Sequence, residues 1–190
     1  MFLMRNSTAK KLIIFDLDGT LYELPGGSYA KSPLQRRVLA NAVKFIADRL
    51  FKSKVEAQNI LLQVQEKYGE QISIGLEKEY GLSRYDYFDT VWNISARGIV
   101  KKNPHLRKIL LELQKSYHLA LVSDAPRVWI KNVLAALSVS DIFHDSTFSG
   151  EGNRRKGFGN AFSEITRKYG MSPENCAVVG DQEETDIIPA

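Results

Sequence analysis

Residues 11–22 read KLIIFDLDGTLY, an apolar run that ends in two closely spaced carboxylates and a glycine turn. Lys11 to Phe15 is a short apolar run that stops abruptly at Asp16. A run of this kind, β-branched and bounded by a glycine-containing turn, predicts a buried strand. Asp16 and Asp18 then leave the strand end two residues apart, so their carboxylates emerge on the same side. Held side by side, they repel each other unless a cation or a shared proton intervenes. Their hard oxygens suit Mg2+. Gly19 permits the sharp turn that frees the loop from the sheet.

Further strands follow downstream. Tyr117 to Val122 (YHLALV) and Cys176 to Val179 (CAVV) also read as buried strands, and Asp145 to Phe148 as a shorter one. Helical patterns lie between them. Asn103-Pro104 predicts a helix start, with Asn as the cap and Pro at the first helical position, ahead of Leu106, Ile109, Leu110 and Leu113. Val128, Ile130, Val133, Leu134 and Leu137 mark a second helix. Phe158 to Tyr169 marks a third, closed by Gly170. Strands alternating with helices predict an α/β fold, a Rossmann-like parallel sheet.

Residues 25–98 behave differently. Leu34 to Phe51, Val55 to Tyr68, Ile74 to Tyr80 and Tyr85 to Trp92 all read as helices, with Pro25-Gly26-Gly27 before them and Gly98 after. The expected organisation is a core of residues 1–24 and 99–190 with an all-helical insertion at 25–98. An insertion at that point lies over the carboxyl ends of the strands, where open α/β sheets bind ligands.

Composition narrows the class. The chain has 190 residues, 44% hydrophobic and 25% charged, which is ordinary for a globular protein able to form a core. One cysteine, Cys176, excludes a disulfide scaffold. No apolar run approaches the ~20 residues of a membrane span. The N-terminal MFLMRNSTAKK has too short an apolar stretch for a secretory signal, so the cytoplasm is the expected location. The pI of about 9.1 comes from interspersed charges. The densest basic cluster is only Arg154-Arg155-Lys156, so nucleic acid is not the expected partner.

Three more pieces carry chemistry. Ser123 ends the second strand, and Asp124-Ala125-Pro126 leads into a helix; a hydroxyl and backbone N–H groups there can bind a phosphate oxygen. Lys156 offers a compact positive charge able to neutralise a phosphoryl group, with Arg155 as the competing candidate. Gly180 to Asp186 (GDQEETD) places Asp181 at another strand end, with Asp186 five residues on. This is an acidic helix start or a metal site, and the presence of Asp16 and Asp18 favours the metal.

Together these four pieces resemble the haloacid dehalogenase superfamily of phosphohydrolases. Its first motif, DxDGT, is matched by Asp16 to Thr20. The strand ending in Ser is matched at Ser123, the downstream Lys at Lys156, and GDxxxxD at Gly180 to Asp186. Lys156 to Phe162 departs from the family's K-P-x-P-x-x-F run, with Gly157 and Gly159 in place of both prolines. The resemblance implies a Mg2+-dependent phosphatase acting on a small phosphorylated substrate. Asp16 looks like the nucleophile and Asp18 like the acid and base, a role for which burial or the neighbouring carboxylate should raise its pKa. Ser123 and Lys156 would hold the phosphoryl group, with Gly19, Thr20 and Asp124 beside the substrate. Asp16, the Asp18 backbone carbonyl and Asp181 would hold the metal, and Asp186 would orient Lys156. The carboxylate at position 18 marks a phosphatase, since the family's dehalogenases lack it.

The insertion resembles the family's helical cap. Its Tyr68, Tyr80, Tyr85, Tyr87, Phe88 and Trp92 loosely resemble pyrimidine 5′-nucleotidase-like members, although most of these rings are expected to be packing core. Lys78, Arg84 and Arg97 are candidates for meeting an anionic substrate or for plain surface positions. Tyr22 and Leu24 are expected in a flap. His105, His118 and His144 lack metal-ligand spacing, and Cys176 is expected to be inert. The leading substrates are nucleotide and sugar phosphates. A phosphomutase and a non-catalytic binding protein are the alternatives. Family members continue past the fourth motif with another strand, so Cys176 to Val179 is expected to lack its outer neighbour. A homodimer contact or reduced stability is expected at that edge.

Overall fold

The computed structural model describes residues 10–151, 155–156 and 161–189. The predicted readings of residues 1–9, Arg154, Gly157, Phe158 and Gly159 therefore fall outside the described residues. Contacts divide the chain into two compact units. One comprises residues 1–22, 102–124 and 137–190, and the other residues 23–101 and 125–136.

The first unit is built on a parallel sheet. Strands β1 (Lys11–Phe15), β2 (Tyr117–Ser123), β3 (Thr147–Ser149) and β4 (Cys176–Val179) stand in the order β3-β2-β1-β4. The register pairs Ile14 with Ala120 on one side and with Val178 on the other. One face of the sheet is apolar because alternate residues share a face. Leu12, Ile14, Ala120 and Val122 pack there against Ala161, Phe162 and Ile165 of a helix spanning Ala161–Tyr169. On the other face Phe15 meets Phe143 edge to face, with centroids 6.2 Å apart. The helix Leu106–Gln114 buries Leu110, but Ile109 of the same apolar stripe is exposed.

The strand readings hold for β1 and β2, with differences elsewhere. β3 starts two residues later than predicted. β4 is not buried as its composition suggested: it pairs with β1 alone among the described residues, and Val179 is 42% exposed. The Leu106–Gln114 helix also begins later than Asn103-Pro104 predicted. The Asn103 side chain instead accepts the His105 N–H at 2.9 Å, a local turn that competes with helical capping. Gly170 closes the Ala161–Tyr169 helix as expected, at φ +61.

The second unit is helical: α1 (Pro33–Leu50), α2 (Lys54–Tyr68), α3 (Ile72–Tyr80) and α4 (Arg84–Val91), joined by most of the helix Arg127–Leu137. Ser32 caps α1 by accepting the Gln35 N–H, with Pro33 in the first turn. Ser53 and Glu56 form a capping box at the start of α2. Leu34, Val38, Ala42, Phe45 and Ile46 are buried along one stripe of α1. Tyr87 packs edge to face on Phe45, and Trp92 stacks on Tyr29 with centroids 5.8 Å apart. Tyr87 is buried, Tyr68, Tyr80, Phe88 and Trp92 are partly buried, and Tyr85 is exposed. Lys78 lies over the Tyr68 ring and Arg84 over Phe88. No helix among the described residues is long and apolar enough to cross a membrane.

Candidate active site

The strand order locates the site. From β1 the chain runs outward to β2 and β3, while β4 lies on the opposite side of β1. The order therefore reverses between β1 and β4, a switch point where open α/β sheets leave a crevice at the carboxyl ends of the strands. Asp16 follows β1, with its N–H bonded to the Val179 carbonyl at 2.9 Å. Asp181 follows β4 after Gly180, and Ser123 is the last residue of β2.

Asp16, Lys156 and Asp186 form the buried centre, each 3% exposed or less. The Lys156 ammonium donates to Asp16 Oδ1 at 2.6 Å and also to Asp186 Oδ1. Asp186 sits in a short π-helical turn, Glu183–Ile187, and its Oδ2 accepts the Gln182 N–H at 3.1 Å. Asp16 Oδ2 is buried without a hydrogen-bond partner. An orphaned carboxylate oxygen at a buried position is costly. Burial accordingly pushes the Asp16 carboxyl up to about 7, against the opposing charge and hydrogen bond of Lys156. Asp186 and Asp18 add to the rise. Burial also disfavours the Lys156 ammonium, but Asp16 and Asp186 outweigh it and hold its pKa above the ordinary lysine value.

The residues present fit a hard divalent cation. Asp16, Asp181 and Asp186 each bring a carboxylate oxygen within 4.8 Å of the others, and one Asp16 oxygen is unclaimed. Desolvation, with Asp186 adding to it, raises the Asp181 carboxyl. Gly19 makes room for this convergence. Its φ is +104, and a Cβ there would stand 2.2 Å from Asp181 Oδ2. Any side chain at 19 would drive Asp181 away.

Asp18 points elsewhere. Its Oδ1 accepts the Tyr22 hydroxyl at 2.5 Å, and its Oδ2 lies 3.5 Å from Ser123 Oγ. The turn between them is closed by Gly19 N–H to Tyr22 O and by Thr20 N–H to Leu17 O. Thus Gly19 and Thr20 lie in the turn, Ser123 faces Asp18, and Asp186 joins the carboxylates as well as Lys156. Lys156, not Arg155, reaches Asp16; the Arg155 Nε lies 3.9 Å from Asp124 Oδ2. Asp124 Oδ1 accepts the Lys156 N–H. Two features escaped the sequence reading: the Tyr22 bond to Asp18 and the Asp124 bond to Lys156. The four-residue spacing around Gly19 was the available signal for the first. The second spans 32 residues and left no signal.

Residues 10–190 match the family described as haloacid dehalogenase-like hydrolase. The chain is 27% identical over 182 residues to a phosphoglycolate phosphatase of Vibrio cholerae, covering 95% of this chain and 79% of that protein. It is 24% identical over 199 residues to a glyceraldehyde 3-phosphate phosphatase of Methanopyrus kandleri, covering 93% and 78%. A similar match, 24% over 199 residues, is to an N-acylneuraminate-9-phosphatase of Rattus norvegicus, covering 93% and 76%. In fold it resembles a phosphatase of the same superfamily from Thermococcus onnurineus, with a TM-score of 0.60 at 19% identity over 94% of this chain and 80% of that one. With the family matched over nearly its whole length, this chain belongs to the haloacid dehalogenase-like hydrolases.

Proposed function

We propose that this chain is a Mg2+-dependent phosphatase of small phosphorylated metabolites that works through an aspartyl-phosphate on Asp16. The enzyme is a phosphoric monoester hydrolase. The observation that carries the finer reading is the buried Asp16–Lys156 pair beside Asp181 and Asp186. A carboxylate attacking a phosphate monoester faces strong like-charge repulsion, and a fixed ammonium beside the nucleophile offsets it.

In the first step an Asp16 oxygen forms a bond to phosphorus as the ester P–O bond breaks. Asp18 gives its proton to the leaving oxygen. In the second step Asp18 takes a proton from water as that water attacks phosphorus, and the Asp16 carboxylate is released. Ser123 and Lys156 hold the phosphoryl oxygens. Asp16, the Asp18 carbonyl and Asp181 would hold Mg2+, which when bound supplies charge neutralisation. Asp186 keeps the ammonium aimed at Asp16.

The relatives' printed substrates are phosphoglycolate, glyceraldehyde 3-phosphate and N-acylneuraminate 9-phosphate, all small phosphate monoesters. They support the same substrate class here, sugar phosphates among its members. The test is hydrolysis of p-nitrophenyl phosphate with Mg2+ and with EDTA. Turnover present with the metal and abolished by chelation is expected. Equal turnover in EDTA would remove the cation from the reading.

A further inference from the structure

The Lys156 main chain is anchored to the end of β2. Asp124 follows Ser123 there, and its Oδ1 accepts the Lys156 N–H at 2.7 Å. Lys156 is buried, so its N–H cannot rely on water and needs an acceptor. A carboxylate is a strong one. The other carboxylate oxygen of Asp124 faces Arg155 Nε at 3.9 Å. The end of β3 closes the same corner. The Gly150 N–H donates to the Ser123 carbonyl at 2.8 Å, and a Cβ at 150 would fall 2.6 Å from the Asp124 carbonyl oxygen. One residue thus fixes where the lysine chain begins, while the ammonium at its far end reaches Asp16.

The family resemblance implies a place beside the substrate for Asp124. We propose instead that Asp124 is a positioning residue. It sets the Lys156 main chain at the distance from which the ammonium meets Asp16, and it draws Arg155 aside, so that lysine is the cation at the nucleophile. This assignment rests on the reading of Asp16 and Lys156 as the phosphoryl-transfer pair. A displaced ammonium costs rate because catalysis of this type depends on geometry at the ångström scale.

The test uses p-nitrophenyl phosphate and Mg2+, with kcat, KM and thermal melts for wild type, Asp124→Ala, Asp124→Asn, Asp124→Glu, Lys156→Ala and the Asp124→Ala/Lys156→Ala double variant. Asp124→Ala is expected to lose about 10- to 100-fold in kcat/KM, mostly in kcat. Asp124→Asn keeps an acceptor oxygen in place and is expected to recover most of that loss. Asp124→Glu keeps the charge but shifts the acceptor by one methylene, and is expected to fold and remain slow. In the Lys156→Ala background the Asp124→Ala change is expected to cost less than about threefold, because no ammonium is left to position. Equal losses in both backgrounds, wild-type kinetics in Asp124→Ala, or a fast Asp124→Glu enzyme would each overturn the assignment. A folded wild-type protein with no turnover of p-nitrophenyl phosphate would overturn the phosphatase reading first and this assignment with it, so the two failures are told apart.

Discussion

The ammonium of Lys156 stands 2.6 Å from Asp16 Oδ1, and the two side chains are only 3% and 4% exposed. These residues are 140 positions apart in sequence. A buried ion pair is weak evidence for stability, because desolvation consumes much of the Coulomb gain. Its removal on one side is another matter. Lys156→Met is expected to destabilise the metal-free protein by about 3–5 kcal/mol, since Asp16 and Asp186 lose their shared cation. The loss should be smaller at about pH 6 than at about pH 8, because Asp16 can then neutralise by protonation. Urea denaturation in EDTA at both pH values measures it. A variant as stable as wild type at the higher pH would contradict it.

Cation binding should release a proton. Without a cation the Asp16 carboxyl titrates at about 7, raised first by burial. A carboxylate whose folded pKa lies above its unfolded value adds stability at low pH, and that addition is lost as pH rises from about 4 through about 7. In EDTA this group therefore makes the melting temperature fall across that window, and Mg2+ should flatten the slope. Calorimetric titration of Mg2+ should show release approaching one proton at about pH 6 and close to none above about pH 8, with affinity rising between. Proton uptake, or affinity independent of pH, would contradict the placement of Asp16 at the cation site.

Gly19→Ala should separate folding from cation binding. The substitution meets both an unfavourable φ of +104 and the Asp181 carboxylate. A cost of about 1–3 kcal/mol in stability is expected for the backbone conformation. Mg2+ affinity should fall at least about tenfold, because Asp181 is displaced. Calorimetry on a folded variant decides this, and unchanged affinity would count against Asp181 as a ligand.

Tyr22→Phe removes one donor from Asp18 and leaves the buried ring in place. The expected result is a kcat lowered about tenfold with KM nearly unchanged, the pattern of a misaligned acid and base. Stability should change by only about 1 kcal/mol. Steady-state kinetics beside a thermal melt checks both. Wild-type kcat would show that Asp18 keeps its orientation without the phenol.

The sheet was legible because apolar runs ending at Asp16, Ser123 and Gly180 mark both a strand and its carboxyl end. The carboxylates were legible for the same reason, since parallel strands bring such ends together. From composition alone the surroundings of β4 were not legible: CAVV has the composition of a buried strand, and only the family resemblance pointed to a missing outer neighbour. Nor was the preference for Lys156 over Arg155. Adjacent basic residues look alike in sequence, and Asp124 separates them only through a contact made in the fold. The start of the Leu106–Gln114 helix was misplaced because Asn103 spends its side chain on a turn to His105.

The proposed phosphatase chemistry stands or falls with Asp16 carrying the phosphoryl group. Acid-quenched reactions of wild type and Asp16→Asn with a labelled phosphate monoester and Mg2+, followed by peptide mass spectrometry, test it directly. The expected result is one phosphoryl group on the peptide containing Asp16 in the wild type, with neither label nor turnover in the variant. Turnover persisting in Asp16→Asn, or label on a different residue, would contradict it.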